Sequence, residues 1–159
     1  MKDLLNAAEM KAVDQRSIEE YGIPSLVLME RAALEVVKRA RELLEPGLSG
    51  NEALEHGPGR ERLLKERKRK TVWAVCGFGN NGADGAAAAR MLTLQGFSSV
   101  ILLPSLEGKR SRELEVQLSI AEKLGIPILT LGDPLPEACD LILDAVFGIG
   151  LSRPVEGVY

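Results

Sequence analysis

The stretch that most constrains this chain runs Val72-Trp73-Ala74-Val75-Cys76-Gly77-Phe78-Gly79-Asn80-Asn81-Gly82-Ala83-Asp84-Gly85 and continues into Ala86-Ala87-Ala88-Ala89-Arg90-Met91-Leu92. A short apolar run breaks on closely spaced glycines and gives way at once to helix formers. That order reads as a buried strand, a tight turn and a helix whose first N–H groups are free to face an anion. Asn80, Asn81 and Asp84 add oxygen-bearing side chains where a plain phosphate loop needs none, so the chemistry is expected here.

Two helices are expected ahead of this unit. Asn6-Ala7-Ala8-Glu9 has the spacing of a capping box, and Met10, Val13, Ile18 and Tyr21 follow at roughly helical intervals before Gly22. From Leu26 to Leu44, Met29, Ala33, Val36, Val37, Ala40, Leu43 and Leu44 form an apolar stripe, with Glu30, Arg31, Lys38, Arg41 and Glu42 mostly on the other face. Downstream, Ser99 to Pro104, Ile126 to Thr130 and Asp140 to Phe147 read as further strands. Between the first two of these, residues 109–124 form a helix closed by Gly125. Strands alternating with helices at this spacing imply parallel βαβ units, hence an α/β chain. The expected architecture is a three-layer α/β/α sandwich with a Rossmann-like, mostly parallel sheet preceded by two N-terminal helices.

Composition narrows the function. At 159 residues, 45% hydrophobic and 27% charged, the chain is one globular domain's length. A net charge of −3 gives no general reason to expect nucleic acid or an anionic membrane as partner. No apolar run approaches the roughly 18 residues of a membrane span, and the opening residues lack a signal peptide's apolar region, so a cytoplasmic location is expected. Cys76 and Cys139 make no metal motif and read as buried thiols in apolar runs, and one histidine, His56, leaves triad chemistry and a His-based zinc site without material. Residues 47–70 form a loop that becomes charge-dense over 60–70, with seven basic residues against Glu61 and Glu66. It reads as a solvated helical extension rather than a base-stacking surface, since no aromatic residues interleave the charges.

Ligands of doubly wound sheets bind beyond the carboxyl ends of the strands. Two polar, glycine-rich loops fall at such ends, residues 77–85 and 144–154, and they face one crevice if the first and fourth strands are neighbours. Gly77, Gly79 and Gly82 also satisfy Gly-x-Gly-x-x-Gly, so an NAD-dependent dehydrogenase must be weighed. That fingerprint expects a carboxylate about twenty positions on, for the ribose, but the second strand ends Leu103-Pro104-Ser105 with none until Glu107. Asn81 and Asp144 are hard oxygen donors on opposite loops. One carboxylate among neutral oxygens suits a monovalent cation better than magnesium or calcium. Asp144 also reads as a helix cap or loop brace, Asp84 as the N-cap of a helix starting near Gly85, and Arg153 as a phosphate contact or a surface charge.

Together Gly79-Asn80-Asn81-Gly82-Ala83-Asp84-Gly85 and Asp144-Ala145-Val146-Phe147-Gly148-Ile149-Gly150-Leu151-Ser152-Arg153-Pro154-Val155 closely resemble the NAD(P)H-hydrate epimerases, the YjeF N-terminal domain family. Leu28-Met29-Glu30-Arg31-Ala32-Ala33 resembles that family's N-terminal signature. Departures are Ala83, where the family usually has glycine, and the charged insertion at about 47–70. The resemblance implies an isomerase that interconverts the R and S forms of hydrated NADH or NADPH, with a fused or separate ADP- or ATP-dependent dehydratase as companion. It implies substrate contacts from Asn80, Asn81, Gly82, Ala83 and Asp84 on one side and Gly148, Ile149, Gly150, Leu151, Ser152, Arg153 and Pro154 on the other. It also implies a potassium ion held by Asn81 and Asp144. Epimerisation needs an acid/base beside the hydroxyl, for which Asp84 is the candidate in this chain.

The family pattern continues past Tyr159 with a helix, a strand and a further ligand loop. Residues 1–159 are therefore expected to be a C-terminally incomplete domain with little activity alone. Its fourth strand is expected to leave an edge that pairs with another chain, so a homo-oligomer is anticipated. A non-catalytic nucleotide-, RNA- or protein-binding module of the same fold is the alternative.

Overall fold

The computed structural model describes residues 5–45, 69–136, 138–149, 151 and 154–155. The charged segment 47–68 and His56 lie outside them. Helix α1 (Ala7–Glu19) starts with the expected capping box: the Glu9 N–H donates to Asn6 Oδ1 and the Asn6 N–H to Glu9 Oε2. Its apolar positions are not core, however. Met10 and Val13 remain 42% and 48% exposed, and α1 buries no residue. Gly22, at φ +67°, ends the segment in the left-handed conformation glycine tolerates. Helix α2 (Ser25–Leu44) buries Met29, Ala33, Val37, Ala40 and Leu44, while Val36 and Leu43 face out, a narrower stripe than the sequence predicts.

Strand β1 (Thr71–Cys76) leads into α3 (Asn80–Leu94), then β2 (Ser98–Leu103), α4 (Arg112–Lys123), β3 (Ile128–Thr130) and β4 (Leu141–Ala145). The four strands form a parallel sheet in the order β3-β2-β1-β4. This is the expected α/β architecture, a Rossmann-like parallel sheet flanked by helices. The chain builds outward from β1 to β2 and β3, then returns to the other side of β1 for β4. The topological switch point therefore lies between β1 and β4.

Helix α3 is the hub. Its run Ala86-Ala87-Ala88-Ala89 is fully buried, because side chains this small let α2, α4 and the sheet all approach one helix. Ala83, Ala86 and Ala89 pack with Ala74, Cys76 and Ile101 of the sheet and Leu114, Leu118 and Ala121 of α4. Ala87, Ala88 and Leu92 pack instead with Val72 and with Ala33, Val37 and Ala40 of α2. A polar knot ties the three helices. Arg90 donates to Glu30 Oε1 through Nη2 and to Gln117 Oε1 through Nε (3.1 Å), and Gln117 Nε2 donates to Glu30 Oε1 (3.1 Å). Glu30 is thus not a purely solvent-facing charge.

At the amino edge of the sheet Asp140 sets the register. Its carboxylate accepts from Lys70 Nζ and from the Thr71 N–H, each at 2.8 Å, and its own N–H donates to the Thr71 carbonyl. That pairing puts Val75 opposite Asp144 and Cys76 opposite Ala145 at the carboxyl edge. Side chains alternate along a strand, so a slip of one residue would turn Asp144 away from the crevice. Cys139 lies just before β4 and is only partly buried, unlike the strand thiol expected.

Candidate functional site

The β1–α3 loop and the segment after β4 meet at the switch point. Helix α3 begins at Asn80 with Gly79 as N-cap, five residues earlier than the sequence suggests, so Asp84 sits in the helix and caps nothing. No side chain caps α3 and no acid occupies its first turn. Among the described residues the first N–H groups of α3 therefore have no capping side chain, a setting that suits an anion.

The glycines make the two loops fit each other. A Cβ on Gly82 would lie 1.8 Å from the Gly77 carbonyl oxygen, and one on Gly77 would lie 2.1 Å from the Val146 oxygen. Gly85 likewise leaves room for Ala145 and the Cys76 sulfur. These glycines serve first for the close approach of the chain to itself. The Cys76 thiol is fully buried there and burial pushes it up to about 12, which leaves it inert.

Asn81 bridges the crevice. Its Nδ2 donates to the Phe147 carbonyl at 2.9 Å, which links the two motif loops through a side chain. The same bond orients the amide and leaves Oδ1 as the group Asn81 can offer a ligand. Asp144, the penultimate residue of β4, lies on the face shared with Val75, and its Oδ1 accepts from the Val146 N–H at 3.1 Å, so the loop-brace role holds. Asp84 is half-buried, and its carboxyl is raised from 3.8 to about 6, first by burial and then by the charge of Asp14 on α1. Near neutrality such a group exchanges a proton readily.

Of the expected substrate-contact residues, Asn80, Asn81 and Asp84 present side chains, whereas Gly82 and Ala83 are buried and offer only backbone. Gly148, Ile149, Leu151 and Pro154 are exposed on the second loop, where the Leu151 N–H donates to the Gly148 carbonyl at 3.2 Å. Gly150, Ser152 and Arg153 lie outside the described residues. Among the described residues no group of three or more His, Cys, Asp or Glu side chains is placed to hold a metal. The donors here are one neutral amide oxygen and one carboxylate, which fits a weakly demanding monovalent cation rather than a divalent one.

Two nearby features escaped the sequence reading. Phe78, in the glycine loop, packs under Gly108, where an added Cβ would meet its ring at 2.3 Å, and the Arg110 guanidinium lies 6.0 Å over that ring. A cavity of about 300 Å³ also opens at the carboxyl edge, lined by Val75, Cys76, Pro104, Leu131, Val146 and Phe147 with Asp144. A leucine after a strand gives no sequence signal for such a wall.

A parallel sheet whose two glycine-bearing loops close on one crevice at the switch point defines an α/β protein that takes its ligand at the sheet's carboxyl edge. Within that class the chain belongs to the family described as YjeF-related protein N-terminus, whose family model matches residues 25–159. It is 40% identical over 156 residues to the NAD(P)H-hydrate epimerase of Limosilactobacillus fermentum, covering 98% of this chain and 64% of that protein. It is 31% identical over 159 residues to the bifunctional NAD(P)H-hydrate repair enzyme Nnr of Thermofilum pendens, covering 96% of this chain and 26% of that one. The chain thus spans less than two thirds of either relative. The crystal structure of yeast ynu0 superposes with a TM-score of 0.71 over 97% of this chain and 60% of that one; at 23% identity this likeness speaks for the fold. Among the described residues no helix is long and apolar enough to cross a membrane.

Proposed function

We propose that this chain carries the substrate site of an NAD(P)H-hydrate epimerase, interconverting the R and S forms of hydrated NADH or NADPH. The observation that carries the reading is the Asn81–Phe147 hydrogen bond at 2.9 Å, which joins the two loops across the switch-point crevice. The family membership and the epimerase name of the Limosilactobacillus relative support it.

In this reading Asn80, Asn81, Gly82, Ala83 and Asp84 meet the dinucleotide from α3, where the free first-turn N–H groups receive a phosphate oxygen. Gly148, Ile149, Gly150, Leu151, Ser152, Arg153 and Pro154 close the other side. Asn81 Oδ1 and the Asp144 carboxylate would hold a potassium ion, which would supply positive charge for orienting polar groups of the substrate. Asp84 is the proton holder. Its protonated carboxyl gives a proton to the hydroxyl on the hydrated ring carbon, and water departs to leave a planar centre. Water then adds from the opposite face and returns a proton to the Asp84 carboxylate. A carboxyl at about 6 can serve in both directions near neutrality.

The bifunctional relative supports a dehydratase, fused or separate, as the enzyme that consumes the S form. The test follows the R and S hydrates of NADH chromatographically with wild-type protein and with Asp84→Asn, each checked for folding by circular dichroism. Loss of interconversion in the folded variant supports Asp84; unchanged turnover removes it from the mechanism.

A further inference from the structure

The loop between β2 and α4 is basic in an acidic chain. Residues 105–112 hold Lys109, Arg110 and Arg112 against the single acid Glu107, whereas the whole chain has a net charge of −3. This loop leaves the carboxyl end of β2, across β1 from Asp144 and the β4 loop. In doubly wound sheets that bind dinucleotides, the end of the second strand is where the ribose 2′ position is read. A carboxylate there accepts from a free hydroxyl, and an arginine there takes a phosphate.

Arg110 is the cation of this loop that the fold anchors. Lys109 and Arg112 are exposed, but the Arg110 side chain is only 15% exposed and its guanidinium lies 6.0 Å over the Phe78 ring. Phe78 belongs to the glycine loop, and its carbonyl accepts from the Ser111 N–H at 2.8 Å. Gly108, at φ +139°, lets the chain pass against the same ring. Ring and backbone bond together tie the loop after β2 to the turn that leads into α3, and they hold the guanidinium beside that turn.

These contacts do not use up the guanidinium. Nη2 donates to the Leu106 carbonyl, Nη1 stands 3.7 Å from Glu115 Oε1, beyond hydrogen-bond distance, and Nε is buried without a partner. An arginine fork carries more N–H donors than that, in a planar array that matches phosphate oxygens. Glu115 is 57% exposed, so its long ion pair is easily exchanged for a bound dianion. Glu107, the acid of this loop that could serve a free hydroxyl, is exposed.

We propose that Arg110 is a specificity-determining residue that takes the 2′-phosphate of the dinucleotide, making hydrated NADPH rather than hydrated NADH the preferred substrate. The inference rests on the epimerase reading, which brings a dinucleotide to this edge of the sheet. A pyrophosphate at the first turn of α3 offers Arg110 the same chemistry, so the test compares ligands that share the pyrophosphate.

ADP-ribose and its 2′-phosphorylated form differ in that one group. Calorimetric titration of the chain in potassium chloride should show the phosphorylated form binding at least about tenfold tighter. Arg110→Met keeps an apolar stem over Phe78 and should bring the two affinities within about twofold, with ADP-ribose bound as by wild type. Arg110→Lys, which keeps the charge, should retain part of the difference. The phosphorus resonance of the 2′-phosphate gives a readout that a merely structural arginine would not move. Its second ionisation, at about 6 in the free ligand, should fall on binding to wild type. Equal affinity of wild type for the two ligands, or equal losses for both in Arg110→Met, overturns the 2′-phosphate subsite and leaves the dinucleotide reading standing. Binding of neither ligand by wild type removes the dinucleotide reading and the subsite with it.

Discussion

Replacing Gly82 by alanine puts a methyl carbon where the structure already has the backbone of Gly77. The added Cβ would stand 1.8 Å from the Gly77 oxygen, 2.8 Å from its carbonyl carbon and 3.0 Å from its nitrogen. All three are main-chain atoms in the turn between β1 and α3, so no rotamer change relieves the overlap. The first turn of α3 must withdraw, and that turn carries Asn81 and its bond to Phe147. Overpacking that flexible side chains can absorb costs about 1–3 kcal/mol. A backbone overlap belongs at the upper end, so a loss of about 3 kcal/mol is expected, or about 6–12 °C in Tm for a chain of this size. Gly79→Ser is the matched control. Nothing lies within 4 Å of its added Cβ, and at φ −92° and ψ −166° a serine side chain could cap α3, leaving stability equal or a few tenths of a kcal/mol higher. Urea midpoints for the two variants and wild type give the answer. A Gly82→Ala midpoint equal to wild type, or equal losses in both variants, would refute the argument that this turn is closed by chain-to-chain contact.

Asp84 gives a pH-dependent prediction. Its carboxyl stands at about 6 when folded against 3.8 ordinarily, so between those values the folded chain keeps a proton the unfolded chain has released. Stability therefore falls as pH rises through that window, and the penalty is complete above it. Asp84→Asn should gain about 2 kcal/mol near pH 7 and almost nothing near pH 3; equal gains at both would contradict the assignment. Arg90→Met should cost about 2–4 kcal/mol, because it leaves Glu30 and the 1%-exposed Gln117 without their shared donor. A thermal melt within 2 °C or so of wild type would show that the knot contributes nothing. Asp140→Ala removes the two carboxylate bonds to Lys70 and Thr71, leaving the Asp140 N–H on the Thr71 carbonyl, and should cost about 1–3 kcal/mol. Its amide exchange should quicken at Thr71 before Val75, and uniform quickening would argue against a local clamp.

Local signals carried much of this structure. The apolar run, the glycines and the alanine helix specify β1, the turn and α3 by themselves, and the capping box at Asn6 is a contact three residues long. The adjacency of β1 and β4 was legible only as a condition, because pairing between strands as far apart in sequence as Val72 and Leu141 leaves no periodic trace in either. What stayed hidden shares one physical cause, dependence on a distant partner. Helical spacing at Met10 and Val13 shows that α1 has an apolar face, yet not that the described chain leaves it uncovered. Glu30 reads as solvent-facing because its partners are Arg90 and Gln117, on two other helices. Gly82 reads only as part of a glycine-spaced turn because the atom that requires it to be glycine, the Gly77 oxygen, becomes a neighbour only once the turn closes. Leu131 and Asp133 look like ordinary turn residues, and only the sheet order places Leu131 on the same cavity as Asp144.

The central proposal is that Asn81 in the first turn of α3 and Asp144 near the end of β4 form a cation-assisted site for a dinucleotide hydrate. Binding of the hydrated NADH epimers to the chain, measured by the fluorescence of its single tryptophan Trp73, next but one to Val75 on β1, tests it most directly. The account predicts saturable binding in potassium chloride, at least about tenfold weaker binding in lithium chloride of equal ionic strength, and loss of that potassium dependence in Asn81→Ala. Binding of equal strength in both salts, unchanged by Asn81→Ala, would contradict it.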